Sequence, residues 1–205
     1  MHALRHLSDH AMHMQILQPL DPGWQAAALM IEGHFHDAFD ARMTLPAVPL
    51  AVARSASGAV LGAAGLRDAA AGFFSQVYLD RPVAQLLSER SGRAVHDDDI
   101  LEVVSMACPR PIATLPLIEA IAAEGRLQGK SWGLFTATTA LVAMLQRTGV
   151  PLLALAPARA ECLPDAACWG RYYDTNPWVC ALAERSEPLR FMPRPSRSFS
   201  KVSPR

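Results

Sequence analysis

Apolar positions along the chain change period several times. Trp24, Ala28, Ile31, Phe35 and Ala38 fall at helical spacing. They predict a helix capped by Asp21, with Pro22 as its first residue, ending near Arg42. Two short apolar runs, Leu50–Arg54 and 60–66, flank Ser55-Ala56-Ser57-Gly58 and read as a β-hairpin. Residues 84–99 hold a short helix, a break at Gly92 and a solvated turn at Asp97-Asp98-Asp99, whose adjacent carboxylates lack the alternate spacing of a metal loop. From Ile100 strand and helix periods alternate. A strand over 100–108 (ILEVVSMAC) precedes a helix over 114–128 with Thr114 at its cap and its end at Gly129. Strand Trp132–Ala137, a helix from Thr138 or Thr139 to Gly149, and a strand over 151–156 follow. That succession implies right-handed crossovers and locally parallel strands. With the hairpin it predicts the α/β class, a mixed sheet flanked by helices.

The ends differ from the middle. Residues 1–15 read as a flexible arm whose His2, His6, His10 and His13 form a solvated row rather than a metal site, since no carboxylate or cysteine accompanies them. Residues 186–205 hold four prolines, five serines and five basic residues against one acid, a composition that predicts a disordered basic tail. One folded domain over 16–185 is expected between them, well within what 205 residues can build around a single core.

Charge adds exclusions. Lys+Arg and Asp+Glu are 19 each, which argues against a nucleic-acid partner. The longest conspicuously apolar uncharged run, 131–146, has 16 residues against the roughly 20 that span a bilayer, so no stable membrane insertion is expected. No secretory leader is visible, and the four cysteines form no CxxC pair. A reduced, soluble, cytoplasmic protein is the expectation. HExxH, GxSxG, GxxxxGK[ST] and GxGxxG are all missing, which weakens zinc-protease, hydrolase, P-loop and Rossmann readings.

Helix, hairpin, then strand–helix–strand–helix–strand resembles the order of the Gcn5-related acetyltransferase (GNAT) superfamily. The resemblance implies a centrally splayed sheet holding a donor's pantetheine arm between the strands 100–108 and Trp132–Ala137. Two departures matter. The superfamily's glycine-rich pyrophosphate loop is here Cys108-Pro109-Arg110-Pro111-Ile112-Ala113-Thr114, and prolines lack the N–H that binds phosphate. The tyrosine often used as general acid near the end of the later helix is replaced by Leu145. Acyl-homoserine-lactone synthases depart from the loop in a similar way, and a carrier-protein thioester needs no pyrophosphate cradle.

A narrower resemblance rests on four blocks: GLRDAAAGFFSQVYLDRPV (65–83), ILEVVSMAC (100–108), GLFTATTALVAMLQRTGVPLLALAPA (133–158) and WGRYYDTNPWVCA (169–181). They are similar to the thermostable hemolysin family, whose usual pattern has GLR, a YL-D/E segment, an acidic strand ending NLA, FTAT, and WGxYYDxxPxV. Here Ser105-Met106-Ala107 stands where the family has NLA.

These resemblances imply an N-acyltransferase. An acyl group would pass from a thioester to an amine of a small acceptor such as an amino acid derivative. The donor would be acyl carrier protein, with coenzyme A as the other candidate; either phosphopantetheine carrier is a co-substrate, and no permanently bound cofactor or metal is expected. Glu102, a carboxylate in an apolar strand, is the candidate general base; its competing role is a structural salt bridge with Arg67. Tyr173 is the candidate general acid. Arg67, Tyr78, Ser105, Thr136, Thr138, Trp169, Tyr172 and Asp174 are the candidate substrate-binding residues, with Asp174 holding a cationic acceptor. For the aromatic members the alternative is an inert lid, and for Thr138 helix capping. Cys108 reads as a structural thiol. Two other function classes stay open: a non-catalytic binding or partner module on the same sheet, and lysis of membranes, the activity in the family's label.

Overall fold

The computed structural model describes residues 12–184. The sheet begins earlier than expected. Strand β1 (His13–Leu17) draws residues 13–15, read above as arm, into an antiparallel pair with β2 (Leu50–Arg54). Met14 and Ile16 pack on the core while His13 and Gln15 face water, the period of a half-buried strand. His2, His6, His10 and the 186–205 tail lie outside the described residues.

Helix α1 (Trp24–Phe39) buries Trp24, Ala27, Ala28, Ile31 and Phe35. Ala38 is exposed, and the larger Phe39 packs against the core instead. Asp21 does not cap α1. Its carboxylate accepts the Gln18 N–H at 2.7 Å and closes the preceding turn, and Gly23, at φ 89°, takes the left-handed position from which the helix starts.

Among the described residues seven strands form one sheet in the order β1-β2-β3-β4-β5-β7-β6. The hairpin pairs β2 with β3 (Val60–Arg67), and β3 pairs antiparallel with β4 (Ile100–Ala107). Through α3 (Thr114–Leu127) the chain returns to β5 (Trp132–Ala137), parallel to β4. Next come α4 (Thr139–Arg147) and β6 (Leu153–Pro157). Strand β6 does not lie beside β5 as the alternation implied. Strand β7 (Trp178–Ala183), unread in the sequence, sits between them, antiparallel to both. Burial explains the exchange: Val179, Cys180 and Ala181 are fully buried and suit an interior strand, whereas β6 is half exposed and ends in Pro157, which an edge tolerates.

Alternation along the strands divides the core. Ala51, Ala53, Ala64, Leu66 and Leu101 meet Leu117 and Ile121 of α3 on one face. On the other, Leu50, Val52 and Ala63 lie under α1, and Ile100, Leu134 and Val179 under α2 (Val83–Ser91). Glu102 and Thr136 share this second face by their two-residue spacing from Ile100 and Leu134.

Candidate active site

Strands β4 and β5 pair from Ile100 with Trp132 to Val103 with Phe135 and then part. Beyond that point β4 stays with β3, and β5 stays with β7, where Thr136 faces Val179. Three steps along β4, from Val104 to Ala107, span two along β3, from Gly65 to Ala63. Ser105, at φ 50°, occupies this bulge, and a bulge bends the strand that carries it. A cavity of about 530 Å³ opens beside the parted strands. Arg67, Ser105, Met106 and Thr136 line it from the sheet, Thr138 from the start of α4, and Phe74, Ser75 and Tyr78 from the segment after β3.

Glu102 is fully buried and does not line this cavity. Its two carboxylate oxygens accept the Phe74 N–H at 2.6 Å and the Ser75 N–H at 2.7 Å. Burial raises its proton affinity, while hydrogen bonds from Ser75 and Phe74 and the charge of Arg67 oppose that rise. The salt bridge with Arg67 is not formed. The guanidinium donates instead to the carbonyls of Gly72, at 2.8 Å, and Ala71. Held outside the cavity, the carboxylate reaches it through Phe74 and Ser75, and the Ser75 hydroxyl lies 2.9 Å from that of Thr136.

Trp169, Tyr172 and Tyr173 pack with Phe35, Phe39, Phe74 and Tyr78 into an aromatic cluster with ring centroids 5.3–6.5 Å apart. Gly170 makes this possible. A Cβ there would stand 2.2 Å from the Phe39 carbonyl oxygen, and its φ of 52° is left-handed. The Arg171 N–H donates to that same carbonyl at 2.7 Å, locking the segment onto the end of α1. The Tyr78 and Tyr173 hydroxyls lie 2.5 Å apart. Burial raises the pKa of both phenols, so the pair stays protonated and one of its two hydrogens remains available to another acceptor.

The cavity therefore gathers Arg67, Tyr78, Ser105, Thr136, Thr138, Trp169, Tyr172 and Tyr173. Thr138 also caps α4, accepting the Leu141 N–H at 3.2 Å. Asp174 is exposed and stands outside the cavity. Ser75, Arg42 and Asp165 line it without having been read from the sequence. At the start of α3, Thr114 is helical and Ala113 holds the cap position. Burial raises the Cys108 thiol's pKa, the Thr114 hydroxyl opposes the rise, and the thiol is not among the cavity's walls.

A sheet parted at its centre beside a cavity is a GNAT-like fold. The pattern of the thermostable hemolysin family matches residues 17–186, and the chain belongs to that family. Among curated proteins no sequence match is found. Solved structures are similar in fold. The acyl-homoserine-lactone synthase LasI, 12% identical, superposes with a TM-score of 0.58 over 86% of this chain and 91% of its own. FeeM, an N-acyl amino acid synthase from uncultured soil microbes, is 14% identical with a TM-score of 0.56, covering 84% of this chain and 90% of its own. BjaI, a CoA-dependent acyl-homoserine-lactone synthase, is 15% identical with a TM-score of 0.53 over 86% and 85%. Among the described residues no helix is long and apolar enough to cross a membrane.

Proposed function

We propose that this chain is an N-acyltransferase of the cytoplasm, moving an acyl group from a thioester to an amine of a small acceptor. The carrying observation is the separation of β4 from β5 beyond Val103 and Phe135, beside the cavity. Freed strand edges offer backbone groups to a pantetheine arm as another strand would. The acceptor nitrogen attacks the thioester carbonyl, the C–N bond forms, and strand amides with the Thr136 hydroxyl stabilise the oxyanion. The C–S bond then breaks and the sulfur leaves as a thiolate, which takes a proton from Tyr173. One ammonium proton of the acceptor passes to water before the attack, and a second, lost from the nitrogen once the C–N bond has formed, returns to Tyr173, so the cycle closes with a neutral thiol and a neutral amide. Glu102 acts as a positioning residue, setting Ser75 and through it Thr136.

Acyl carrier protein is the proposed donor. Pro109 and Pro111 have no N–H, and the Ala113 N–H is already given to the Arg110 carbonyl at 2.9 Å, so the start of α3 is poor in amides for a pyrophosphate. A second reading, a module that binds the thioester without turning it over, is favoured by a Glu102 carboxylate bound to loop amides outside the cavity and by Leu145 in the place of a tyrosine. Thermal-shift titration with acyl carrier protein and acyl-CoA, followed by a free-thiol assay with amines added, separates the two. Donor-induced stabilisation with thiol release supports transfer; stabilisation without release supports the binding module.

A further inference from the structure

Arg42 and Asp165 both line the cavity, from segments that backbone hydrogen bonds join. Arg42 follows α1, and its N–H donates to the Cys168 carbonyl at 2.7 Å; the Cys168 N–H donates to the Asp165 carbonyl at 2.9 Å. One short turn thus ties both residues together, and both line the cavity. Among the described residues neither side chain forms an ion pair, with the other or with any third group. The carboxylate is felt within: burial raises the proton affinity of the Tyr173 hydroxyl, the Tyr78 hydrogen bond opposes the rise, and the charge of Asp165 adds to it.

A cation and an anion that line one cavity without pairing suit a ligand that brings both opposite charges. A simple amine would leave Arg42 without a partner, and a dicarboxylate or phosphate would be repelled by Asp165. A planar guanidinium matches a carboxylate in a two-pronged hydrogen bond, and a carboxylate accepts from an ammonium. Resting on the acyl-transfer reading above, we propose that the acceptor is a free α-amino acid bound as its zwitterion, carboxylate on Arg42 and ammonium on Asp165. The amine is then beside Tyr173, where the leaving thiolate must collect its proton. Phe39 and Trp169, which also line this cavity, favour an apolar side chain.

Calorimetric titration of the whole protein with L-phenylalanine, L-phenylalaninamide and phenethylamine tests the assignment without turnover. The amino acid is expected to bind about tenfold or more tightly than the other two, as loss of one charged partner implies. Arg42→Gln should abolish that preference while leaving the amide's affinity unchanged, and Asp165→Asn should weaken all three. Both side chains are exposed, so circular-dichroism melts should match wild type. Equal binding of acid and amide, an unaltered preference in Arg42→Gln, or no binding of any of the three overturns the zwitterion site. A parallel thiol-release assay keeps the two readings apart. Release with phenethylamine as good as with phenylalanine sinks the zwitterion and keeps acyl transfer. Selective phenylalanine binding without release from any donor keeps the acceptor site and sinks transfer.

Discussion

Arg67 and Glu102 face each other in register across β3 and β4, yet they spend their charges on the same loop rather than on one another. The guanidinium holds the carbonyls of Ala71 and Gly72, and the carboxylate holds the amides of Phe74 and Ser75. Opposite charges on adjacent strands clamp the two polarities of one backbone segment. That segment supplies Phe74, Ser75 and Tyr78 to the cavity wall, so the clamp shapes the site from behind.

Glu102→Gln tests the clamp. A glutamine retains one acceptor oxygen, loses the other, and points an N–H₂ at a backbone donor. Losing a charged hydrogen bond at a buried site should destabilise by about 1.5–3 kcal/mol. Because burial raises the folded carboxyl's pKa, its contribution is fullest below the ordinary carboxylate range and is lost as pH rises through the raised folded value. The stability gap between wild type and Glu102→Gln should therefore narrow as pH rises through that window, in urea melts run in parallel. Unchanged stability with a rate loss of roughly 10²-fold or more would instead identify Glu102 as a direct base.

Tyr78→Phe and Tyr173→Phe break the same 2.5 Å hydrogen bond, so each should cost about 0.5–1.5 kcal/mol in a thermal melt. Their kinetics should differ. Only Tyr173→Phe removes the assigned proton donor, and its turnover should fall by roughly 10²-fold or more while Tyr78→Phe keeps most of its rate. Matched stability losses with normal turnover in both variants would leave the aromatic cluster a packing lid.

Donor choice can be shifted at the start of α3. Replacing Pro109 and Pro111 by glycine adds two backbone donors where the chain has none, and acyl-CoA should then gain on acyl carrier protein. Competing the two donors at equal acyl length measures it. A wild-type protein that already prefers acyl-CoA contradicts the carrier-protein donor.

What was legible in the sequence followed regular periodicity. Strand Trp132–Ala137 has the expected limits, β2, β3 and β4 differ by at most one residue, and Thr138 caps α4. Strand β7 escaped because Pro177 and the turn before it mask a short apolar run whose interior place depends on pairing with distant β5. Sheet order is set by such remote contacts. The site residues divide in the same way. Tyr173 stood out within a dense motif, whereas Arg42 and Asp165 come from irregular segments that tertiary folding joins through Cys168. Asp174 sits inside the motif but faces water; Asp165, nine residues earlier, is the carboxylate at the cavity.

Acyl transfer at the parted strands is tested most directly by following both products of one reaction. The protein is incubated with an acyl-carrier-protein thioester and a pool of amino acids, and mass spectrometry quantifies free carrier thiol and N-acyl product together. The two should rise in equal amounts, and both should fall in Tyr173→Phe. Thiol release without an N-acyl product would reveal a hydrolase, and neither product, with the thioester bound and intact, would contradict acyl transfer.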